Sequence, residues 1–343
     1  MRTEVGHFDT ACPHLQAGRS VPRSGQGETG EAGRQPLPSR RGLPRGFVHA
    51  LISGRCWPAV KRRSVAVAAV VLAGLLAAGC SGIKVVYNQL DVLLPWYFRD
   101  YVDLDTGQRG QLERSVETLL AWHRESEVGR YASFFRQLAA DAATPLPPGR
   151  LEAARLELET FWDDIARRVA PDAAALLATL DEAQVESLFA KMQREDRELA
   201  EEALDRDREE RVERRARELT RQVERWTGRL DATQRTIVED CAAELRGDTE
   251  GWLASRRTWQ QALREALDGR RDTVTFTSRL EHLLADGEDF WTPEYRESFQ
   301  ADRQRVLRML EQVDLSLSER QRTRLRDRLE RLALDLDAIA GGA

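Results

Sequence analysis

Few side chains in this sequence could do covalent chemistry, and the first is the thiol of Cys80. It follows Leu76-Ala77-Ala78-Gly79 at the end of an apolar run from Val65 to Ala78. A thiol is nucleophilic enough to be alkylated, and the small residues before it suit a narrow peptidase cleft. Lys61, Arg62 and Arg63 precede the run. Basic, apolar and small-residue regions in that order make an export signal. The run is too short for a bilayer span, which takes roughly 20 apolar residues.

After Cys80 the chain holds two histidines, His123 and His282, and one further cysteine, Cys241. His123 and Glu127 stand four apart and could hold part of a metal site, but such a site takes three or four ligands. His123 also lies on an apolar stripe beside Trp122, so packing is the preferred reading. His282 stands next to Glu281 near a helix end, where a dipole partner accounts for it. Cys241 falls on another apolar stripe and reads as a small core residue. No P-loop, H-E-x-x-H, G-x-S-x-G or G-x-G-x-x-G is present. Carboxylates alternate with arginines, as from Arg206 to Arg217, which reads as a solvated, ion-paired face. A glycosidase-type carboxylate pair among them is the enzymatic alternative. No catalytic residue, metal or cofactor is assigned.

The run Leu76-Ala77-Ala78-Gly79-Cys80 resembles the bacterial lipobox, with Ala77 where Leu is commoner. The resemblance implies cleavage between Gly79 and Cys80, diacylglycerol on the Cys80 thiol and acylation of the new amino terminus. The membrane is then a partner through those acyl chains, and two or three chains suffice for stable anchoring. Residue 81 is Ser, not Asp. By resemblance to lipoprotein sorting in Gram-negative bacteria, that implies the outer membrane, with the body facing the periplasm. Residues 60–79 are then a signal peptide. Residues 1–59, rich in Gly, Pro, Arg and Ser, show no helical or strand period and cannot bury a core. They read as a disordered cytoplasmic extension or as upstream DNA translated from a wrong start codon. The second is preferred, because Val60 directly precedes Lys61 and a valine codon can start a bacterial chain.

The sequence has 52 Lys+Arg and 57 Asp+Glu, of which 11 basic and 4 acidic residues precede Cys80. The remaining 41 basic and 53 acidic side chains give a net charge near −12. That balance argues against nucleic acid, which selects a basic stripe. With Cys80 acylated, Cys241 has no intrachain partner, so no disulfide framework is expected.

The elements that would position these groups read as helices. The expected fold class is all-α, an elongated helical bundle with long antiparallel hairpins. Residues 80–103 form a membrane-proximal aromatic segment and residues 104–343 an all-helical periplasmic domain. Trp96, Tyr97 and Tyr101 rest either at the headgroup level or against the helices that follow. Leu112, Val116, Leu119, His123, Tyr131, Phe134 and Leu138 predict a helix from about Asp105 to Ala142. Leu151, Ala154, Leu158, Phe161, Ile165 and Val169 predict a second that stops before Pro171. From Asp181 to Leu230 there is no Gly or Pro before Gly228. That predicts one helix on the order of 70 Å long, with a charged waist at Asp205–Arg211 that projects into solvent or arches over a groove. Asp231–Leu267 is expected to fold back antiparallel, bent at Gly247 and Gly251. Thr292-Pro293 starts a further helix, and the last runs from Ser318 to about Ile339.

Four helix starts share one pattern. Leu104-Asp105-Thr106-Gly107-Gln108, Leu180-Asp181-Glu182-Ala183-Gln184, Leu230-Asp231-Ala232-Thr233-Gln234 and Leu317-Ser318-Glu319-Arg320-Gln321 each read L-[D/S]-x-x-Q. The spacing suits a capping box: Asp105, Asp181, Asp231 or Ser318 takes an N3 amide, and Gln108, Gln184, Gln234 or Gln321 reaches back. The pattern resembles the L-T-x-x-Q signature of the Spy-type periplasmic chaperones, with Asp or Ser in place of Thr and a much longer chain. Those are all-α proteins of long helical hairpins whose concave face holds unfolded clients. A second resemblance covers nearly the whole chain after Cys80. Tyr87-Asn88-Gln89-Leu90-Asp91, Pro95-Trp96-Tyr97, Asp100-Tyr101-Val102 and Leu120-Ala121-Trp122-His123-Arg124 look like an uncharacterised proteobacterial lipoprotein family with a domain-of-unknown-function label. It implies a helical envelope lipoprotein and carries over no activity and no site.

The functional expectation is a non-catalytic binding, scaffold or chaperone-like protein, with unfolded or envelope proteins as partners. In its Spy-like form, the apolar face between Asp181–Leu230 and Asp231–Leu267 cradles clients. The rival classes are a cell-wall- or lipid-active enzyme using carboxylates and an accessory subunit of an envelope complex.

Overall fold

The computed structural model describes residues 82–204 and 207–342. The expected extension 1–59, the expected signal peptide 60–79 and Cys80 lie outside the described residues. Every regular element among those residues is a helix, and the fold is an all-α helical bundle.

Two short helices open it, α1 (Gly82–Tyr87) and α2 (Leu90–Arg99). Ile83, Tyr87, Leu90, Tyr97 and Tyr101 enter the main core, whereas Trp96 is exposed. The aromatic segment therefore divides: Tyr97 and Tyr101 pack against the helices that follow, and Trp96 does not.

Next come α3 (Thr106–Trp122), a π-helical turn His123–Glu127 and α4 (Val128–Asp141), together one continuous helix. The prolines at 145, 147 and 148 separate it from α5 (Arg150–Leu177). Contrary to the expected stop, α5 runs through Pro171. Pro171 itself is exposed, so its ring faces water. Ala166, Ala170, Ala174 and Leu176 continue the buried stripe past it. Their burial outweighs a local penalty of about 3 kcal/mol.

The single long helix expected from Asp181 is two helices, α6 (Glu182–Leu204) and α7 (Arg208–Thr227). Asp207 has extended backbone, φ −69° and ψ 173°, and its carboxylate accepts the Glu210 N–H. Aspartate competes for backbone amides inside a helix and serves better as an N-cap, so a fully charged run broke where propensity suggested continuation. Of the waist, Asp207–Glu210 are exposed, while residues 205–206 lie outside the described residues.

The Asp231–Leu267 stretch also divides rather than bends, into α8 (Ala232–Glu244) and α9 (Thr249–Asp268). Gly247 takes φ +60°, open to glycine at little cost. Two side chains hold the turn. Arg215 donates to the carbonyls of Ala242 and Leu245, and Asp302 accepts the N–H groups of Arg246 and Gly247, each at 3.0 Å. Then follow α10 (Thr273–Ala285), a 3-10 turn Gly287–Phe290, α11 (Pro293–Leu315), capped by Thr292, and α12 (Glu319–Ala340).

Two principal cores result. The larger joins the aromatic segment to α6, α9, α10 and α12 through Leu188, Phe189, Met192, Trp259, Phe276 and Leu336. The smaller joins α7, α8 and α11 through Leu219, Val223, Val238, Cys241, Met309 and Val313. The face expected to cradle clients is therefore filled: α8 packs on α7, α9 packs on α6, and α11 closes over α8. Apolar stripes that read as an open groove were core faces, covered by α11 on the α7–α8 half and by the aromatic segment, α10 and α12 on the α6–α9 half. No described helix is long and apolar enough to cross a membrane.

Candidate functional site

The four L-x-x-x-Q starts are capping boxes that meet in pairs. Asp105 accepts the Gln108 N–H at 2.8 Å, and Gln108 Oε1 accepts the Asp105 N–H at 2.9 Å. Asp181 and Gln184 exchange the same two bonds at 2.8 and 3.0 Å. The two glutamine amides then bond each other in both directions, at 3.0 and 2.7 Å. Gln108 Nε2 also donates to the Thr179 carbonyl, and Gln184 Nε2 to that of Asp103. A glutamine amide has two donors and an oxygen with two lone pairs; here all are used.

The second pair repeats this. Gln234 and Gln321 exchange bonds at 3.1 and 2.8 Å. Each also reaches a carbonyl in the partner's approach loop, Ser316 and Arg229 respectively. Asp231 and Ser318 cap their own helices. These clasps hold α3 to α6 and α8 to α12 at their first turns. They can align helices; they offer no reacting group.

A second constellation lies under the aromatic segment. Arg256 on α9 is 1% exposed, with Glu195 and Asp196 of α6 at 6% and 7%. The guanidinium pairs with Asp196 through Nε, lies 3.5 Å from Glu195 through Nη2 and donates to the Met192 carbonyl. It also stacks over Trp252 at 5.6 Å. Tyr101 donates to both Glu195 oxygens at 3.0 and 3.1 Å, and Tyr97 shares a 2.8 Å bond with Tyr101. Gln260 donates to Asp196 at 3.1 Å. Burial raises the Asp196 carboxyl against the pull of Arg256, and it lowers Arg256 against the pull of Asp196 and Glu195. Burial, with Tyr97 and Glu195 adding, also pushes the Tyr101 phenol up. The two carboxylates converge, but on a guanidinium, and all are sealed from solvent. The arrangement fastens the aromatic segment to α6 and α9.

Sequence reading missed this cluster because Glu195 and Asp196 stand in a charged stretch that looked solvated. A signal existed: Asp196 stands four residues beyond Met192 on the same stripe, and Arg256 stands four from both Trp252 and Gln260. A charge in register with an apolar stripe marks a buried charge.

The residues singled out for chemistry fall elsewhere. His123 sits in the π turn, its Nδ1 3.0 Å from the Tyr87 hydroxyl and its ring against Tyr87 and Tyr131. Burial pushes the imidazole down to about 4. Glu127, buried, pairs instead with Arg130 at 2.7 Å. His282 is exposed in the last turn of α10, the helix-end position expected of it, and lies 3.2 Å from Asp286. Cys241 is buried in the smaller core, where desolvation pushes its thiol up to about 11. Among the described residues, no group of three or more His, Cys, Asp or Glu is placed to hold a metal.

No curated protein and no solved structure matches the chain. Residues 100–296 match a family of unknown function (DUF6279). That span contains Tyr101, Glu195, Asp196 and Arg256 and the first three of the four helix starts. By that match, which covers more than half of its length, the chain belongs to DUF6279.

Proposed function

We propose that this is a lipid-anchored envelope protein, held at the outer membrane by acyl chains on Cys80, with a non-catalytic helical body that binds or scaffolds envelope proteins in the periplasm. The observation that carries the reading is the order of Lys61-Arg62-Arg63, the apolar run and Leu76-Ala77-Ala78-Gly79-Cys80, with only Ser81 between Cys80 and α1. The fate of the polar groups supports a non-catalytic body: the four glutamines satisfy one another, and the buried charges are spent on holding helices. A chaperone-like form needs a face other than the filled one between α6–α7 and α8–α9. Metabolic labelling with a clickable palmitate tests the anchor. Label on the wild type, absent from Cys80→Ala together with release from the membrane fraction, is the expected result; an unlabelled wild type overturns it. Crosslinking in intact envelopes tests the scaffold role, which fails if no envelope protein is joined to the chain in stoichiometric amount.

A further inference from the structure

α1 and α2 bury one face and leave the other uncovered. Val85, Val92 and Trp96 are 63%, 61% and 60% exposed. The other large apolar side chains exposed among the described residues, Leu156, Val274, Leu315 and Leu334, are scattered along the chain. Scattered exposure needs no explanation, whereas a concentration marks an interaction surface. Val92 and Trp96 are four apart on α2, and Arg99, also exposed, follows three later, so the three share a face. Val85 adds an apolar group nearer Cys80.

We propose that this face docks on the bilayer surface, with Val85, Val92 and Trp96 at the boundary between headgroups and acyl chains and Arg99 at a lipid phosphate. The proposal rests on acylation of Cys80. Three observations select lipid over protein as the occupant. Cys80 stands two residues before α1, and two residues reach at most ~7 Å, so an acyl chain there brings this face to the membrane first. Tryptophan favours the interface, where its ring is apolar and its N–H meets water or headgroup oxygen. Arg99 supplies a planar cation for a phosphate, with a stem that covers apolar surface. Of the acidic neighbours, Asp100 pairs with Lys191 at 2.9 Å, while Asp91 stays exposed in the first turn of α2, where it accepts the Val92 N–H at 2.9 Å. Docking would also orient the body, because the inner side of this segment is tied through Tyr97 and Tyr101 to Glu195.

The test uses the lipidated chain purified from membranes and reconstituted into phosphatidylethanolamine/phosphatidylglycerol vesicles with brominated acyl chains, which quench indole emission on contact. Brominated lipid is expected to quench part of the wild-type emission, and Trp96→Phe is expected to lose that part. Val92→Asp, at a position 61% exposed, leaves Trp96 in place and is expected to weaken the quenching by lifting the face away. Equal quenching of wild type and Trp96→Phe overturns the proposal. The intact mass of the same sample reads acylation separately. An unacylated Cys80 sinks the anchor and the docking together, whereas an acylated chain with equal quenching of wild type and Trp96→Phe sinks the docking alone.

Discussion

Arg256 lies among Glu195, Asp196 and Tyr101 with its side chain withdrawn from water. Withdrawing an ion costs several kcal/mol, offset here by two carboxylates, a carbonyl and the Trp252 ring. Arg256→Met leaves those carboxylates buried and uncompensated, and should cost about 3–5 kcal/mol in urea unfolding. Adding Glu195→Gln and Asp196→Asn to Arg256→Met should recover much of that loss, since no net charge then stays buried. His123 is the second residue with a measurable signature. Its folded value of about 4 lies below the ordinary 6.5 because burial disfavours the imidazolium. The contribution is therefore complete above pH 6.5 and is lost as pH falls toward 4, where the unfolded chain takes the proton first. The ceiling is about 3 kcal/mol, at 1.36 kcal/mol per pH unit, and partial exposure of the ring lowers it. His123→Phe should flatten that acid limb relative to wild type; an unchanged limb would assign the loss to other groups. His123 could be read as packed from its stripe position, but its hydroxyl partner Tyr87, 36 residues away, could not.

The glutamine clasps belong to the scale of elements. Each box was legible because its atoms lie within four residues, so spacing alone fixes the geometry. Which starts meet was not legible, since Gln108 to Gln184 and Gln234 to Gln321 are 76 and 87 residues apart. Gln234 is fully buried, so truncating it removes the acceptor of the Asp231 N–H and of one Gln321 N–H, and the donor to the Ser316 carbonyl. Gln234→Ala should cost about 1–3 kcal/mol. Gln234→Ala with Gln321→Ala should cost less than the two singles summed, because one exchange is lost only once. Additive losses would mean that the clasps act as independent caps. The helix breaks follow the same logic in reverse. Asp207 and Gly247 end helices that the apolar stripe would have continued, and Pro171 fails to end one. The choice turns on a few kcal/mol of capping or burial, supplied locally by the Asp207 cap on Glu210 and, at the Gly247 turn, by the distant Arg215 and Asp302.

At the scale of the molecule, α12 packs along α4 and also meets α7 and α1, so it contributes to both halves of the bundle. The family match ends at residue 296, before most of α11 and all of α12. A chain trimmed to residues 100–296 should therefore lack a cooperative thermal transition, because Leu219, Val238 and Cys241 lose Met309 and Val313 and α4 loses its cover. A sharp two-state melt of that fragment would refute this. Taken alone, the sequence specified the all-α class, most helix positions, the capping boxes and the basic–apolar–Cys80 order at the N-terminal side. Each of these is written within a few consecutive residues or in a simple period. Only the tertiary structure decided which glutamines clasp, which charges are buried, how the aromatic segment divides and that the expected client groove is filled, by α11 on one half and by the aromatic segment, α10 and α12 on the other. Those outcomes depend on contacts between segments far apart in the chain, where burial outweighs local preference and no spacing in the sequence records the partner.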